Sequence, residues 1–119
     1  MDYTQNLNLP QWEETDRIMR TDFNDAMSKI DAAVPQIEFG TYTGNDTYPR
    51  TIELGYQPQC VFLIAEDGRT ILSGNSYGGL FTPDHPLKNN YGTVTASGFR
   101  LSGGNTNISG LTYYYLTLR

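Results

Sequence analysis

Two hydrophobic rhythms meet near Pro35. Upstream, placing Trp12 at heptad position d puts Met19, Ala26 and Ala33 at d and Asp16, Phe23 and Ile30 at a, so that six of the seven seam positions are apolar. This spacing predicts an amphipathic, coiled-coil-like helix that ends at Val34, because a proline disfavours helical geometry in the residue before it. The start is less sharply marked. Pro10 suits a first helical turn, Thr21 or Asp22 suits the cap of a shorter helix, and a break near residues 20–22 reconciles the two. About three heptads are too few for a helix to be comfortable alone in water, so the stripe is expected to lie against sister helices or the following domain.

From Ile37 the rhythm becomes short runs of β-branched and aromatic residues broken by Gly, Asn and Pro. Strands are predicted at 37–43, 51–56, 60–66, 69–73, 92–97, 98–102 and 111–119. The fold expected is a small antiparallel β-sandwich spanning 37–119, preceded by an attachment or oligomerisation segment at 1–36. Asp67-Gly68 predicts a primed hairpin turn that makes CVFLIA (60–65) and TILS (70–73) neighbours. CVFLIA is continuously apolar and reads as a central strand covered on both sides. The last strand alternates, with Tyr114, Leu116 and Leu118 on one side and Tyr113, Tyr115, Thr117 and Arg119 on the other. Residues 73–92 are long for a connection and are expected to be a functional loop.

Composition sharpens the boundary, since all twelve glycines lie between Gly40 and Gly110. The net charge of −5 is also uneven: residues 1–36 hold seven acids against three bases, and the remainder six against five. An acidic chain without a basic stripe lacks the footprint that binds phosphate backbones or anionic bilayers, so neither nucleic acid nor membrane insertion is expected. The opening MDYTQNLNLPQWEE carries no export-signal pattern, which suggests a soluble protein made in the cytoplasm. The single cysteine, Cys60, cannot form an internal disulfide and reads as a small apolar group.

Enzyme chemistry finds little support. One histidine, His85, and no ligand-spaced cluster leave no transition-metal site within one chain, and no cofactor is expected. Asp84 beside His85 is not a catalytic dyad, no Ser or Cys sits in a nucleophile elbow, and the Gly-rich stretches lack the Lys-Ser/Thr of a phosphate loop. Twelve of the fifteen aromatics lie beyond residue 36 among many Asn, Thr and Ser, a mixture suited to weak multivalent binding of sugars or proteins. In the long loop this points to Tyr77, Phe81, Asp84, His85, Asn89, Asn90 and Tyr91 as receptor-binding candidates.

The stretch YTQNLNLPQWEETDRIMRTDFNDAMSKIDAAV resembles the amino-terminal attachment segment of tail fibre and baseplate-associated proteins from phages and prophages of Gram-positive bacteria. The likeness rests on Asn-Leu-Asn-Leu (6–9), Trp-Glu-x-Thr-Asp (12–16), Asp-Phe-Asn (22–24) and Lys-Ile-Asp-x-Ala (29–33). The remainder, with its Gly-Tyr-x-Pro turn (55–58) and Tyr-rich closing strand, is similar to the small β-domains that end such fibres. The resemblance implies a homotrimeric virion protein on the phage tail, joined to other tail or baseplate proteins, whose β-domain meets a bacterial surface glycan or protein. By position, Trp12, Met19, Phe23, Ala26, Ile30 and Ala33 would hold the helices together or dock them to the virion. A purely structural tail adaptor without host binding is the alternative reading. No shaft separates Val34 from Ile37, which implies a short spike or a baseplate decoration rather than a long fibre.

Overall fold

A computed structural model describes Met1–Arg119 throughout and divides the chain into two compact units, Met1–Pro35 and Gln36–Arg119. The protein is mainly β, with several antiparallel sheets and one α-helix.

The first unit opens with a two-stranded hairpin, β1 (Asp2–Tyr3) and β2 (Pro10–Gln11), followed by helix α1 (Arg20–Ala33). Asn8 takes a positive φ of 55° at the hairpin turn, and Thr4 closes that turn, its hydroxyl accepting from the Leu9 N–H at 2.9 Å. Asp16 ties the intervening bend, accepting from the Glu13 N–H at 2.8 Å and facing the Met1 ammonium at 3.1 Å. These donors hold its carboxyl below the usual carboxylate range, the Glu13 N–H contributing most. Helix α1 starts at the late end of the predicted range. Its cap position is Met19 rather than Thr21 or Asp22, and no side chain caps it. At the other end the Val34 N–H reaches Ile30 O at 3.1 Å and Val34 itself is extended, as the following proline requires.

The second unit contains β3 (Ile37–Thr43), β4 (Arg50–Glu53), β5 (Cys60–Ala65), β6 (Ile71–Leu72), β7 (Asn75–Ser76), β8 (Gly79–Phe81), a 3-10 turn (Lys88–Asn90), β9 (Gly92–Val94), β10 (Gly98–Leu101) and β11 (Thr112–Leu118). A four-stranded sheet runs β3-β11-β5-β8 and a three-stranded sheet β4-β10-β9, both antiparallel. Alternation along β11 and β5 turns Tyr113, Thr117, Val61 and Leu63 inward, where none is more than 1% exposed. From the three-stranded sheet Phe99 and Leu101 enter the same core. Phe99 meets Phe81 and Tyr115 edge-on, with ring centroids 6.0 and 5.1 Å away, the geometry that the aromatic quadrupole favours.

Turn chemistry redirects one expected pairing. At Glu66-Asp67-Gly68 only Gly68 has a positive φ (88°), and its N–H bonds to Ala65 O at 2.8 Å, so the primed turn predicted for Asp-Gly is absent. The two consecutive positive φ values of a primed hairpin fall instead at Ser73 (52°) and Gly74 (82°), between β6 and β7. Thr70 O accepts from both Tyr77 and Gly78, which steers the chain away from β5. TILS therefore pairs with β7, and β8 takes the place beside β5. The 73–92 segment is thus not one open loop, because it contains β7, β8 and the 3-10 turn.

Candidate functional site

The predicted receptor loop separates into buried and exposed halves. Phe81, on β8, is 1% exposed in the core, and Tyr77 is 8% exposed beneath the Arg69 guanidinium, which sits 4.2 Å from its ring centroid. Neither ring is available to a surface ligand, which corrects the expectation for both. Each sits where the segment rejoins the sheet, and burial of a large ring there outweighs its exposure in a loop.

Asp84, His85, Asn89 and Asn90 remain exposed, and Tyr91 is half-buried. Thr82 and His85 close a tight turn with reciprocal backbone hydrogen bonds of 3.0 and 3.2 Å, and His85 Nδ1 lies 3.3 Å from Thr82 Oγ1. Asn89 and Asn90 both adopt left-handed backbone, at φ 56° and 58°, a conformation that Asn tolerates better than most residues. Tyr91 packs over Gly103 and Gly104, so close that a Cβ at Gly103 would stand 2.8 Å from its ring. The turn from Asp84 to Asn90 is thus a shaped polar edge whose amides and imidazole can exchange hydrogen bonds with a hydroxylated or peptide ligand.

The heptad seam is only partly realised. Trp12 and Asp16 precede the helix and Met19 sits at its cap, so none of the three lies on a helical face. Trp12 is half-buried and its indole N–H has no acceptor. Ala26 is the one buried helical residue, lining a small groove with Tyr3 and Pro10 of the hairpin, and Lys29 donates to Asn8 O at 2.9 Å beside it. That side of α1 is occupied within the unit. Phe23, Met27 and Val34 stand 52%, 46% and 60% exposed, and with the half-buried Ile30 they form an apolar stripe at helical spacing beside Ala26. Ala33 is exposed at its margin.

A larger uncovered surface lies on the four-stranded sheet. The sides of β3, β11, β5 and β8 opposite the core carry Phe39, Leu116, Phe62 and Leu80 in one cross-strand row. Thr41, Tyr114 and Ile64 form the next row on one side, and Ile37, Leu118 and Cys60 the next on the other. Phe39 is 80% exposed and Leu80 62%. Two shallow grooves flank Phe39 and Tyr114, one of them floored by Leu116 and walled by Phe62 and Ile64. The only charged residue in these four strands, Glu38, turns to the other side and accepts from the Tyr56 hydroxyl at 2.7 Å. β5 is central as expected, but only one of its sides is covered.

Sequence reasoning did not single out this surface, although two signals carried it: the unbroken apolar run of CVFLIA and the apolar register of Tyr114, Leu116 and Leu118. No group of three His, Cys, Asp or Glu side chains converges anywhere in the chain, and no helix is long and apolar enough to cross a membrane. Comparison with models of known families, with curated proteins and with solved structures finds no match.

Proposed function

We propose that this chain is a non-enzymatic virion component of a bacteriophage, a homotrimeric tail fibre or baseplate protein whose β unit, a small antiparallel sandwich, meets a bacterial surface glycan or protein. The observation that carries the reading is the apolar stripe of Phe23, Met27, Ile30 and Val34, of which Phe23, Met27 and Val34 are about half in water or more, on a helix whose adjoining flank is already packed at Ala26. Exposed stripes of this kind mark association surfaces. A 14-residue helix is short for a self-sufficient coiled coil, so attachment to a neighbouring tail or baseplate protein suits this stripe better than a stem of sister helices. The sequence resemblance at residues 6–33 supports the same assignment.

Host contact is assigned to the polar turn at Asp84, His85, Asn89 and Asn90, with Tyr91 behind it. Retention of the purified protein on cells of Gram-positive bacteria tests this. Retention is expected to fall at least tenfold in the variant Asp84→Ala/His85→Ala/Asn89→Ala, and equal retention of wild type and variant sinks the assignment. A structural adaptor without host binding is the second reading. It is favoured by the burial of Tyr77 and Phe81, which leaves the turn without the large flat rings that sugar recognition uses. Under that reading no bacterial surface retains the wild-type protein.

A further inference from the structure

We propose that the uncharged outer face of the four-stranded sheet, built on Phe39, Leu116, Phe62 and Leu80, is the surface through which copies of this chain bind one another. The inference deepens the homotrimer reading above and takes the number of copies from it, while the surface is argued from the sheet itself.

Four features select a second copy as the occupant. First, β5 has the sequence of a strand buried on both sides, but the β unit itself covers only the side carrying Val61, Leu63 and Ala65. A run of this kind implies a second cover, and a copy of the same chain is always present at the same concentration. Second, the face bears no charge on a chain whose net charge is −5. Most of that charge lies in residues 1–36, and the rest of the chain, with six acids against five bases, is nearly neutral, so copies can meet on this face without repulsion, whereas a basic partner would have selected acids here. Sugars are served less well, since beside the rings of Phe39, Phe62 and Tyr114 the face offers only hydroxyls, those of Thr41, Thr43, Thr112 and Tyr114, and no amide or charged group.

Third, the surface is self-complementary. Phe39 and Leu80 stand up at the two margins of one row, and the groove over Leu116, between Phe39 and Phe62, can receive such a knob from another copy. Ridge and groove are both apolar and both belong to the same chain, as association of like subunits requires. Fourth, the size is sufficient. Four strands about 4.8 Å apart and roughly 20 Å long give on the order of 400 Å² in flat projection, and more once the standing side chains are counted. Bringing two such faces together buries on the order of 1,000 Å², the lower bound for a specific interface. A single uncovered apolar patch of this extent is at the upper end of what a soluble monomer presents.

The test is the mass of the full chain by sedimentation equilibrium at micromolar concentration. The wild type is expected at a multiple of the 13.4 kDa chain mass. Phe39→Lys/Leu80→Lys is expected at the mass of one chain with an unchanged circular-dichroism spectrum, because both side chains are mostly in water in the single chain. Should the lysines disturb folding, Phe39→Ala/Leu80→Ala is expected to fold and to associate at least tenfold more weakly. Hydroxyl-radical labelling of Phe39 and Phe62 in the wild type is expected to fall as protein concentration rises. A wild type that stays monomeric, a folded lysine variant that keeps its oligomeric mass, or labelling that ignores concentration overturns the proposal. Failure to bind bacteria or tail proteins would count against the virion reading and leave these masses untouched.

Discussion

Tyr42 and Tyr113 are direct cross-strand partners on β3 and β11, and their rings stack 5.0 Å apart at an interplanar angle of 11°. Both hydroxyls reach one segment: Tyr42 donates to Thr106 O at 2.6 Å, and Tyr113 donates to Asn105 O and accepts from the Ile108 N–H. Burial, the largest cause for each, pushes both phenols up, Tyr113 to about 12 and Tyr42 further. A folded-state value above the unfolded one means that the native state keeps its proton while the unfolded chain, with tyrosines near 10, has lost it. The stabilising contribution is therefore complete below pH ~10 and is lost as the pH rises from there through the folded values. Thermal melts between neutral pH and pH ~11.5 are expected to show a falling midpoint that begins near pH 10. The tyrosinate absorbance due to Tyr42 and Tyr113, taken as the difference between the wild type and the Tyr42→Phe and Tyr113→Phe variants, should appear together with unfolding rather than before it. Tyr113→Phe should make the alkaline fall shallower. A midpoint flat to pH ~11.5 would contradict the assignment.

Asn107 is the second anchor of that segment and is wholly buried. Its amide nitrogen donates to Asn45 Oδ1 at 2.6 Å and Thr47 O at 2.8 Å, while its side-chain oxygen accepts from the Arg50 guanidinium at 2.9 Å. Its own N–H donates to the Tyr48 hydroxyl at 3.0 Å. Asn107→Ala would remove the three side-chain hydrogen bonds to Asn45, Thr47 and Arg50, which are only partly buried, and each such bond contributes about 0.5–1.5 kcal/mol, more for the one from the guanidinium. A loss of roughly 3 kcal/mol is expected in denaturant unfolding. Asn107→Asp can recover at most the Arg50 bond, because its second oxygen faces the acceptors Asn45 Oδ1 and Thr47 O where the amide donated. Equal losses in the two variants would mean that the charge-assisted bond contributes nothing.

Gly44 faces backbone rather than a side chain. An added Cβ would stand 1.9 Å from Ile108 O, and the Gly44 N–H and carbonyl already bond Leu111 and Gly110. The neighbour cannot swing aside, so Gly44→Ala must part the two segments. About 2 kcal/mol is expected, as for other overpacked sites, which lowers the melting midpoint by roughly 10 °C in a unit of this size. A midpoint within a degree or two of wild type would show that the approach is looser than drawn.

The distribution of legible and illegible features follows from range. Strands β3, β5, β10 and β11 were readable because β-branched and aromatic runs ended by turn residues are local signals, and Pro35 stopped the helix through its own ring. Lateral order was not readable. Asp67-Gly68 and Ser73-Gly74 are both competent turn pairs, and which of them takes the primed geometry was settled by Thr70 capturing two N–H groups farther along. Tyr77 and Phe81 looked like loop residues because β7 and β8 are only two and three residues long, too short to show a period. Of the receptor candidates the polar ones stayed on the surface, as their composition implied. The heptad seam failed at Trp12 and Asp16 because the hairpin and the Asp16 bend take up the chain before α1 can begin. The outer face of β5 was misread for a different reason: an apolar run suggests cover on both sides, and within the β unit only the side of Val61, Leu63 and Ala65 is covered.

Helix α1 itself is the least supported element, and hydrogen exchange should expose this. One of its residues, Ala26, is buried, no side chain caps its start, and no basic residue lies in its last turn to answer the helix dipole. Exchange protection tracks the free energy of local opening, which is small where few apolar contacts must break. Amides of Phe23 to Val34 in the free protein are expected to exchange at least a hundredfold faster than those of Tyr113 to Thr117, which pair on both sides of β11. If the stripe serves attachment and the sheet face serves association, as proposed, Phe23→Asp/Ile30→Asp should leave the exchange of β11 and the oligomeric mass unchanged. Under the proposed reading, a complex with a neighbouring tail or baseplate protein should slow exchange across the helix, and the same double variant should abolish that slowing. Helix amides as protected as those of β11 in the free chain would mean that the stripe is already engaged between copies, and the division of labour between the two apolar surfaces would fall.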